Sequence, residues 1–423
     1  MRKGTGILLA LAVCLVLTAC TPEGPGNSTQ SGTEGTQGFF DGDAPMPGYD
    51  ADNRYLFWPG ISFLETENCF FGTALAGSYL HYYDMQTGIS GLLCPDPACT
   101  HDSGACPARV GPTASVSYYD GKLYWVGKDP AGGGNDEYLW RSDITGTNRE
   151  KLKTISFQDM ILVYKPQQYY IHRGNLYFLG RAGFVDGAET GNRITLMTAP
   201  LEGNEAFTML YDKTFYVGAD ATVRFVGNKV YFAVRSRTVD SPNNMDLTIT
   251  CYDRTDGTSQ VLFEQTDMEG ILGAMWVTEA GEIYIPAQVE NVGKVLKLED
   301  GTLTEVMSLE GEKVAAPTIL DGIVEFDGVT GDTRWVHIFT SSGETVYEGA
   351  LFPEAIPGME EDPNTLGWAI VGGDREKLIL YLGGWTGSKS IDYIVMLDLT
   401  DNLKPTVLWS EEILKGAAYG TET

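Results

Sequence analysis

Residues 122–127 read KLYWVG: a lysine, an apolar and aromatic run, and a glycine, entered through the turn pair Asp120-Gly121. The same phrase returns as CFFG (69–72), NLYFLG (175–180), KVYFAV (229–234), EIYIPA (282–287), IVEFDG (323–328) and KLILYLG (377–383). The residues just before these segments are 68, 121, 174, 228, 281, 322 and 376, spaced by 53, 53, 54, 53, 41 and 54. A repeat of this length is one supersecondary unit that cannot bury its apolar face alone and must stack on copies of itself.

Outward from each phrase the pattern continues. A second run follows: YLHYYD, YLWRSD, ITLMTA, TITCYD, KVLKLE, WVHIFT or YIVMLD. Turns such as Asp84–Gly88, Asp143–Gly146, Asp253–Gly257 and Glu299–Gly301 come next. Asp closes such turns through its side chain, and Gly takes the positive φ. Apolar and polar residues alternate over four to six positions, the period of half-buried strands, and no long segment carries a helical period. Seven four-stranded units without intervening helices predict an all-β fold, a seven-bladed β-propeller of antiparallel blades. Two packed sandwiches are the alternative, but a regular period argues against them.

The chain opens MRKGTGILLALAVCLVLTAC. Arg2 and Lys3 precede an apolar run, Ile7 to Leu17, that is short for a transmembrane helix. Leu17-Thr18-Ala19-Cys20 resembles a bacterial lipobox. That resemblance implies a lipoprotein signal peptide over 1–19 and makes Cys20 the lipid-modified first residue of the mature chain; a plain secretory signal is the alternative. Residues 20–50, rich in Gly, Ser, Thr and Pro, read as a disordered tether. The propeller is expected over 51–410 and a C-terminal tail over 411–423. The protein is thus expected at the cell membrane, lipid-anchored on the extracytoplasmic face.

Loss of Arg2 and Lys3 leaves 27 basic against 57 acidic residues, a net charge of −30. Such a surface argues against nucleic acid and against anionic lipid, and it keeps an exported protein soluble.

In an up-and-down blade, the first-to-second and third-to-fourth turns share one face; the second-to-third loops and the connections between blades share the other. Tight pairs such as Asp120-Gly121, Arg173-Gly174 and Gly227-Asn228 mark the first face. Longer segments mark the second: 127–137, 181–192, 235–246, 287–293, 328–334, 383–390 and the connection 353–367. Elaborated loops on a rigid scaffold are where recognition usually resides, so this is the expected binding face. Asp129, Asp136, Asp186, Asp240 and Asp332 give it an acidic rim, and Trp385 in a Gly-rich loop offers either a sugar platform or cover for a neighbouring blade.

The connection between blades 1 and 2 carries LCPDPACTHDSGACPA (93–108), which holds Cys94, Cys99, His101 and Cys106. Cys69 and Cys251 fall toward the opposite face and are not expected to reach it. Three readings compete: a structural zinc on Cys3His, a disulfide (most simply Cys99–Cys106), or reactive thiols. Three thiolates and an imidazole would fill zinc's four positions, so a metal here would clamp a loop and leave no place for a reacting water.

Catalytic motifs are sparse. There is no G-x-S-x-G, no H-E-x-x-H and no EF-hand loop. His81 and His337 fall in third strands and His172 beside a turn, positions that read as structural.

The stretch YLWRSDITGTNREKL (138–152) resembles the repeats of TolB-like and low-density-lipoprotein-receptor-like propellers. With the lipobox and the cysteine cluster, the chain resembles a group of Gram-positive propeller lipoproteins of unassigned function. That resemblance is specific for fold and nearly silent on activity. The expected function is a ligand- or protein-binding or assembly module at the cell envelope, with the membrane and an unknown protein or glycan as partners. The alternative is a glycan hydrolase or lyase using acidic residues of the loop face. Structural zinc is the one cofactor the sequence suggests.

Overall fold

The computed structural model describes residues 61–414 except 74–78, 102–105, 112–115, 130–135, 156–167, 187–188, 217, 238–240, 242, 331–332 and 387–388. The signal peptide, Cys20, the tether, Asp240 and Asp332 lie outside the described residues. No helix among those residues is long and apolar enough to cross a membrane.

The strands form seven separate antiparallel sheets, each built from consecutive strands. Blade 1 holds β1 (Ser62–Glu65), β2 (Cys69–Thr73), β3 (His81–Asp84) and β4 (Ile89–Leu92). Blade 2 holds β5 (Val116–Tyr119), β6 (Lys122–Lys128), β7 (Glu137–Asp143) and β8 (Glu150–Ile155). Blade 3 holds β9 (Gln168–His172), β10 (Asn175–Asp186), β11 (Glu189–Pro200) and β12 (Thr208–Phe215). Blade 4 holds β13 (Ala219–Val226), β14 (Lys229–Arg237), β15 (Asn244–Asp253) and β16 (Ser259–Glu269).

In blade 5 the first strand is split into β17 (Ile271–Leu272) and β18 (Trp276–Val277), both paired with β19 (Ile283–Val289); β20 (Val292–Glu299) and β21 (Thr302–Glu310) complete it. Blade 6 holds β22 (Thr318–Leu320), β23 (Ile323–Thr330), β24 (Thr333–Thr340) and β25 (Thr345–Ala350). Blade 7 holds β26 (Gly367–Gly373), β27 (Lys377–Thr386), β28 (Lys389–Asp398) and β29 (Lys404–Leu414). Among the described residues the one short helical turn, Pro363–Thr365, lies in the connection between blades 6 and 7. This is the all-β, seven-bladed propeller expected from the repeat.

The period has a physical cause in the packing. Alternate residues of each inner strand point to opposite neighbours, and seven apolar clusters result, one at each blade-to-blade interface. In blade 2, Leu123 and Trp125 pack toward blade 1 with Phe71 and Leu80, while Tyr124 and Val126 pack toward blade 3 with Leu176 and Phe178. The last cluster joins Phe63 and Phe70 of blade 1 to Ile379, Ile394 and Trp409 of blade 7 and closes the ring. Full burial of one such side chain is worth about 1.5–3 kcal/mol, so no blade is stable away from its neighbours. Among the described residues no sheet mixes strands from the two ends of the chain, and this side-chain cluster joins blades 7 and 1.

Two expectations need correction. Several segments expected as loops are hairpin arms. Residues 181–192 belong to β10 and β11, whose ladder runs to Asp186↔Glu189, and 383–390 continue β27 and β28 to Thr386↔Lys389. Backbone pairing needs no apolar side chain, so a Gly-rich or polar sequence can sustain it. Trp385 accordingly stands in β27 opposite Ser390, not in a loop. The expected tail from 411 also begins too early: β29 pairs with β28 through Leu414.

Candidate metal centre

Cys94, Cys99, His101 and Cys106 come together on the connection between β4 and β5. Their four ligand atoms all lie within 4.8 Å of one another, with Cys106 buried and the other three half-buried. His101 Nδ1 is 3.3 Å from Cys106 Sγ. The local sequence explains the convergence. Asp96 Oδ1 accepts from the Ala98 N–H at 2.9 Å and the Asp96 carbonyl from the Cys99 N–H at 3.1 Å, closing a turn that carries Cys99 back beside Cys94. His101 adopts a left-handed backbone with φ of 59°, which is uncommon for a residue with a Cβ.

The segment after Cys106 is locked from three sides. Leu80 N–H donates to the Ala108 carbonyl at 2.8 Å, and Tyr79 bridges Arg109. The Tyr79 hydroxyl donates to the His101 carbonyl. Arg149 Nη1 donates to the carbonyls of Pro107 (2.9 Å) and Arg109 (2.8 Å), while its guanidinium lies 4.3 Å from the Trp140 ring and 5.1 Å from that of Trp125. Gly127 is needed beside this segment, because a Cβ there would stand 2.3 Å from the Val110 carbonyl oxygen.

This environment revises the expected position of the cluster. Tyr79 reaches it from the β2–β3 side, as expected of the decorated face. Arg149, however, comes from the turn between β7 and β8, and a Cβ on Gly146 of that turn would lie 2.7 Å from the Leu93 carbonyl oxygen. Blades twist from the axis outward, so strand ends at the rim swing toward the neighbouring blade's turns. The cluster therefore sits at the outer seam of blades 1 and 2 and touches both sets of loops.

Cys94, Cys99, Cys106 and Cys251 are free thiols. Burial, helped by the neighbouring Cys99 and Cys94 sulfurs, pushes the Cys106 thiol up to about 11. The donors fit zinc. Tetrahedral Zn–S and Zn–N bonds of about 2.3 and 2.0 Å put ligand atoms roughly 3.6–3.8 Å apart, so the four need to draw in by no more than about 1 Å.

The remaining sequence-derived residues are dispersed. Asp129 is half-buried and pairs with Lys151 at 2.5 Å, and Asp136 is exposed just before β7. Asp186 ends β10 and Trp385 lies near the end of β27, on different blades. His337 lies in β24 and His172 ends β9, with its Nε2 2.7 Å from the Gly227 carbonyl oxygen. His81 is different. On β3 it stands 3.5 Å from Glu411 of β29, a pairing made only by ring closure and hidden by the expectation of a tail from 411. The apolar pair Ile413-Leu414 beyond the two glutamates was the available signal that the strand continues.

No family model matches the chain, and no curated protein resembles it in sequence. Solved structures share the fold. A prolyl endopeptidase aligns with a TM-score of 0.51 at 12% identity, covering 86% of this chain and 52% of the other. A puromycin-hydrolysing peptidase of Mycobacterium tuberculosis aligns at 0.50 and 12%, covering 86% and 55%. The β-propeller domain of the trilobed protease of Pyrococcus furiosus aligns at 0.46 and 11%, covering 82% and 98%. The chain thus spans about half the length of the two peptidases, and at these identities the likeness is one of fold.

Proposed function

We propose that this chain is a lipid-anchored, extracytoplasmic propeller that serves as a binding or assembly module at the cell envelope, with a structural zinc clamping its blade 1–blade 2 connection. The carrying observation is the four-donor cluster within 4.8 Å. Cys94, Cys99, His101 and Cys106 would hold the ion, and Arg149 and Tyr79 would orient the backbone that presents them. Zinc bound there would supply four bonds across a connection whose described backbone pairing is a single bridge, Tyr79 to Arg109, and a closed Cys3His sphere suits stapling rather than turnover. Free thiols at that spacing favour metal over a disulfide. The hairpin arms of β10–β11, β14–β15 and β27–β28, projecting from a rigid ring, support the binding role.

The test uses the full chain expressed in a Gram-positive host. Palmitate labelling that disappears in Cys20→Ala, together with one zinc per chain and four unmodified propeller thiols by intact mass, supports the reading. A disulfide between two of Cys94, Cys99 and Cys106, found by non-reducing peptide mapping of a zinc-free chain, would replace the clamp. Hydrolysis or lyase activity on a glycan panel, abolished by Asp136→Asn, would replace the module with the enzyme.

A further inference from the structure

The outermost strand of a blade presents a row of unpaired main-chain groups, and proteins blunt such edges against further pairing. In blades 2 to 7 the ladder to the outermost strand slips register, for example at Leu139/Trp140 in blade 2 and Ile394/Val395 in blade 7. An extra residue of this kind bends the edge and twists it away from an incoming strand. Blade 1 has none: β3 and β4 pair from His81↔Leu92 to Asp84↔Ile89 without a break. Leu93 N–H donates inward to the Leu80 carbonyl at 2.8 Å. By antiparallel alternation, Ser90 and Leu92 turn their main-chain groups outward. The Leu92 carbonyl is taken by the Cys94 N–H at 2.7 Å. Among the described residues no backbone group outside blade 1 bonds to Ser90 or to the Leu92 N–H.

The same edge borders open space. A groove of ≈ 440 Å³ lies between β4 and β29 of blade 7, lined on the β4 side by Ser90, Gly91 and Leu92. Ser90 is exposed, Leu92 half-buried and Ile89 58% exposed, so the strand is open to a visitor. Ser90 and Leu92 stand opposite Tyr83 and His81 and share their face toward blade 7, whereas Ile89 points to the other face. A strand laid along β4 would thus place alternate side chains beside Leu92 in the groove and beside Ile89 on the far side. Charge narrows the choice. Asp84 ends β3 beside this edge, Glu412 on the facing wall is 47% exposed, and the whole chain carries 57 acidic against 29 basic residues. A second copy of so acidic a chain is repelled, and a basic segment is drawn in.

We propose that the edge of blade 1 captures an extended, basic segment of a partner protein as a fifth strand. Its main chain bonds to the Ser90 N–H, the Ser90 carbonyl and the Leu92 N–H. One apolar side chain lies in the groove against Leu92, another covers Ile89, and flanking Lys or Arg residues meet the acidic surface. The proposal names a partner class for the binding-module reading and rests on that reading, but it requires neither the lipid nor the zinc.

The experiment uses the full chain in detergent, with a nine-residue peptide of alternating lysine and valine as probe and its aspartate–valine counterpart as control. Fluorescence anisotropy gives affinity, and amide hydrogen exchange locates the contact. The lysine peptide is expected to bind at about 0.1–1 mM, since only three main-chain bonds are on offer. At saturation it should slow exchange of segment 89–92 at least tenfold. Ser90→Pro removes an outward N–H, a change that an edge strand tolerates, and should abolish that protection at an unchanged thermal midpoint. Ile89→Lys, on an exposed side chain, should weaken the peptide at least fivefold and decides the matter if the proline variant fails to fold. The proposal is overturned if segment 89–92 is not protected, if a folded Ser90→Pro or the Ile89→Lys variant binds as before, or if the aspartate peptide binds equally well. It is also overturned if 89–92 is already slow to exchange in the free chain, because a second copy or the chain's own residues then occupy the edge. Protection at another segment would keep the binding module and remove this site, whereas no binding at all would remove the proposal and leave lipidation and zinc to their own tests.

Discussion

Arg149→Ala probes how the metal centre is held. Arg149 makes two hydrogen bonds to carbonyls flanking Ala108 and lies over two indole rings. Two charge-assisted hydrogen bonds contribute about 4 kcal/mol together, and the ring contacts about 1. Against this, burial pulls the guanidinium down to about 10, a desolvation cost on the order of 3 kcal/mol. The net is about 2 kcal/mol. Removing the side chain also strands the Pro107 and Arg109 carbonyls, so Arg149→Ala is expected to lose roughly 2–4 kcal/mol. Arg149→Lys, with a point charge in place of a planar fork, should fall between. Urea unfolding followed by tryptophan fluorescence measures the loss, and a chromogenic chelator competition measures zinc uptake. A loss below about 0.5 kcal/mol with unchanged zinc affinity would refute the view that Arg149 fixes the Cys106 segment.

Cys106→Ser should abolish stoichiometric zinc in metal analysis, whereas Cys251→Ser should leave it intact. Because zinc takes thiolates, binding should release protons and tighten as pH rises, read by calorimetry in buffers of different ionisation enthalpy. Glu325→Gln tests a carboxyl that burial, with Asp327 nearby, holds well above the ordinary range. From about pH 4.3 upward the unfolded chain ionises while the folded acid stays protonated, so wild-type stability declines with rising pH. The variant should be the more stable at pH 8 and indistinguishable near pH 4 by urea midpoints. Gly72→Ala would place a Cβ 2.2 Å from the Ser62 carbonyl oxygen and 2.8 Å from Trp409 Cζ2. A loss of about 3 kcal/mol or more in thermal unfolding is expected, since the nearer obstacle is backbone.

The blades were legible because strand, turn and strand are local signals repeated seven times. The Cys3His cluster was legible for the same reason: all four donors sit within thirteen residues. What escaped was less local. The ladder through Gly383, Gly384 and Trp385 depends on main-chain pairing with 390–392, and side-chain pattern is silent about that. Glu411 and Glu412 interrupt the apolar alternation of β29, so the last strand looked finished before it was. His81 and Glu411 lie near opposite ends of the chain, and only the closed ring makes them neighbours. Arg149 looked like one polar residue in a turn, because its role depends on the twist that carries the turn to the next blade.

The manner of ring closure has a mechanical consequence. At the six other interfaces the polypeptide itself joins one blade to the next, so a transient gap is tethered shut. Between blades 7 and 1 no such covalent link exists, and the described residues hold that joint by the Phe63–Trp409 cluster and ties such as Lys377–Glu65. Opening should begin there, so the Phe63–Trp409 packing is the latch on the whole ring.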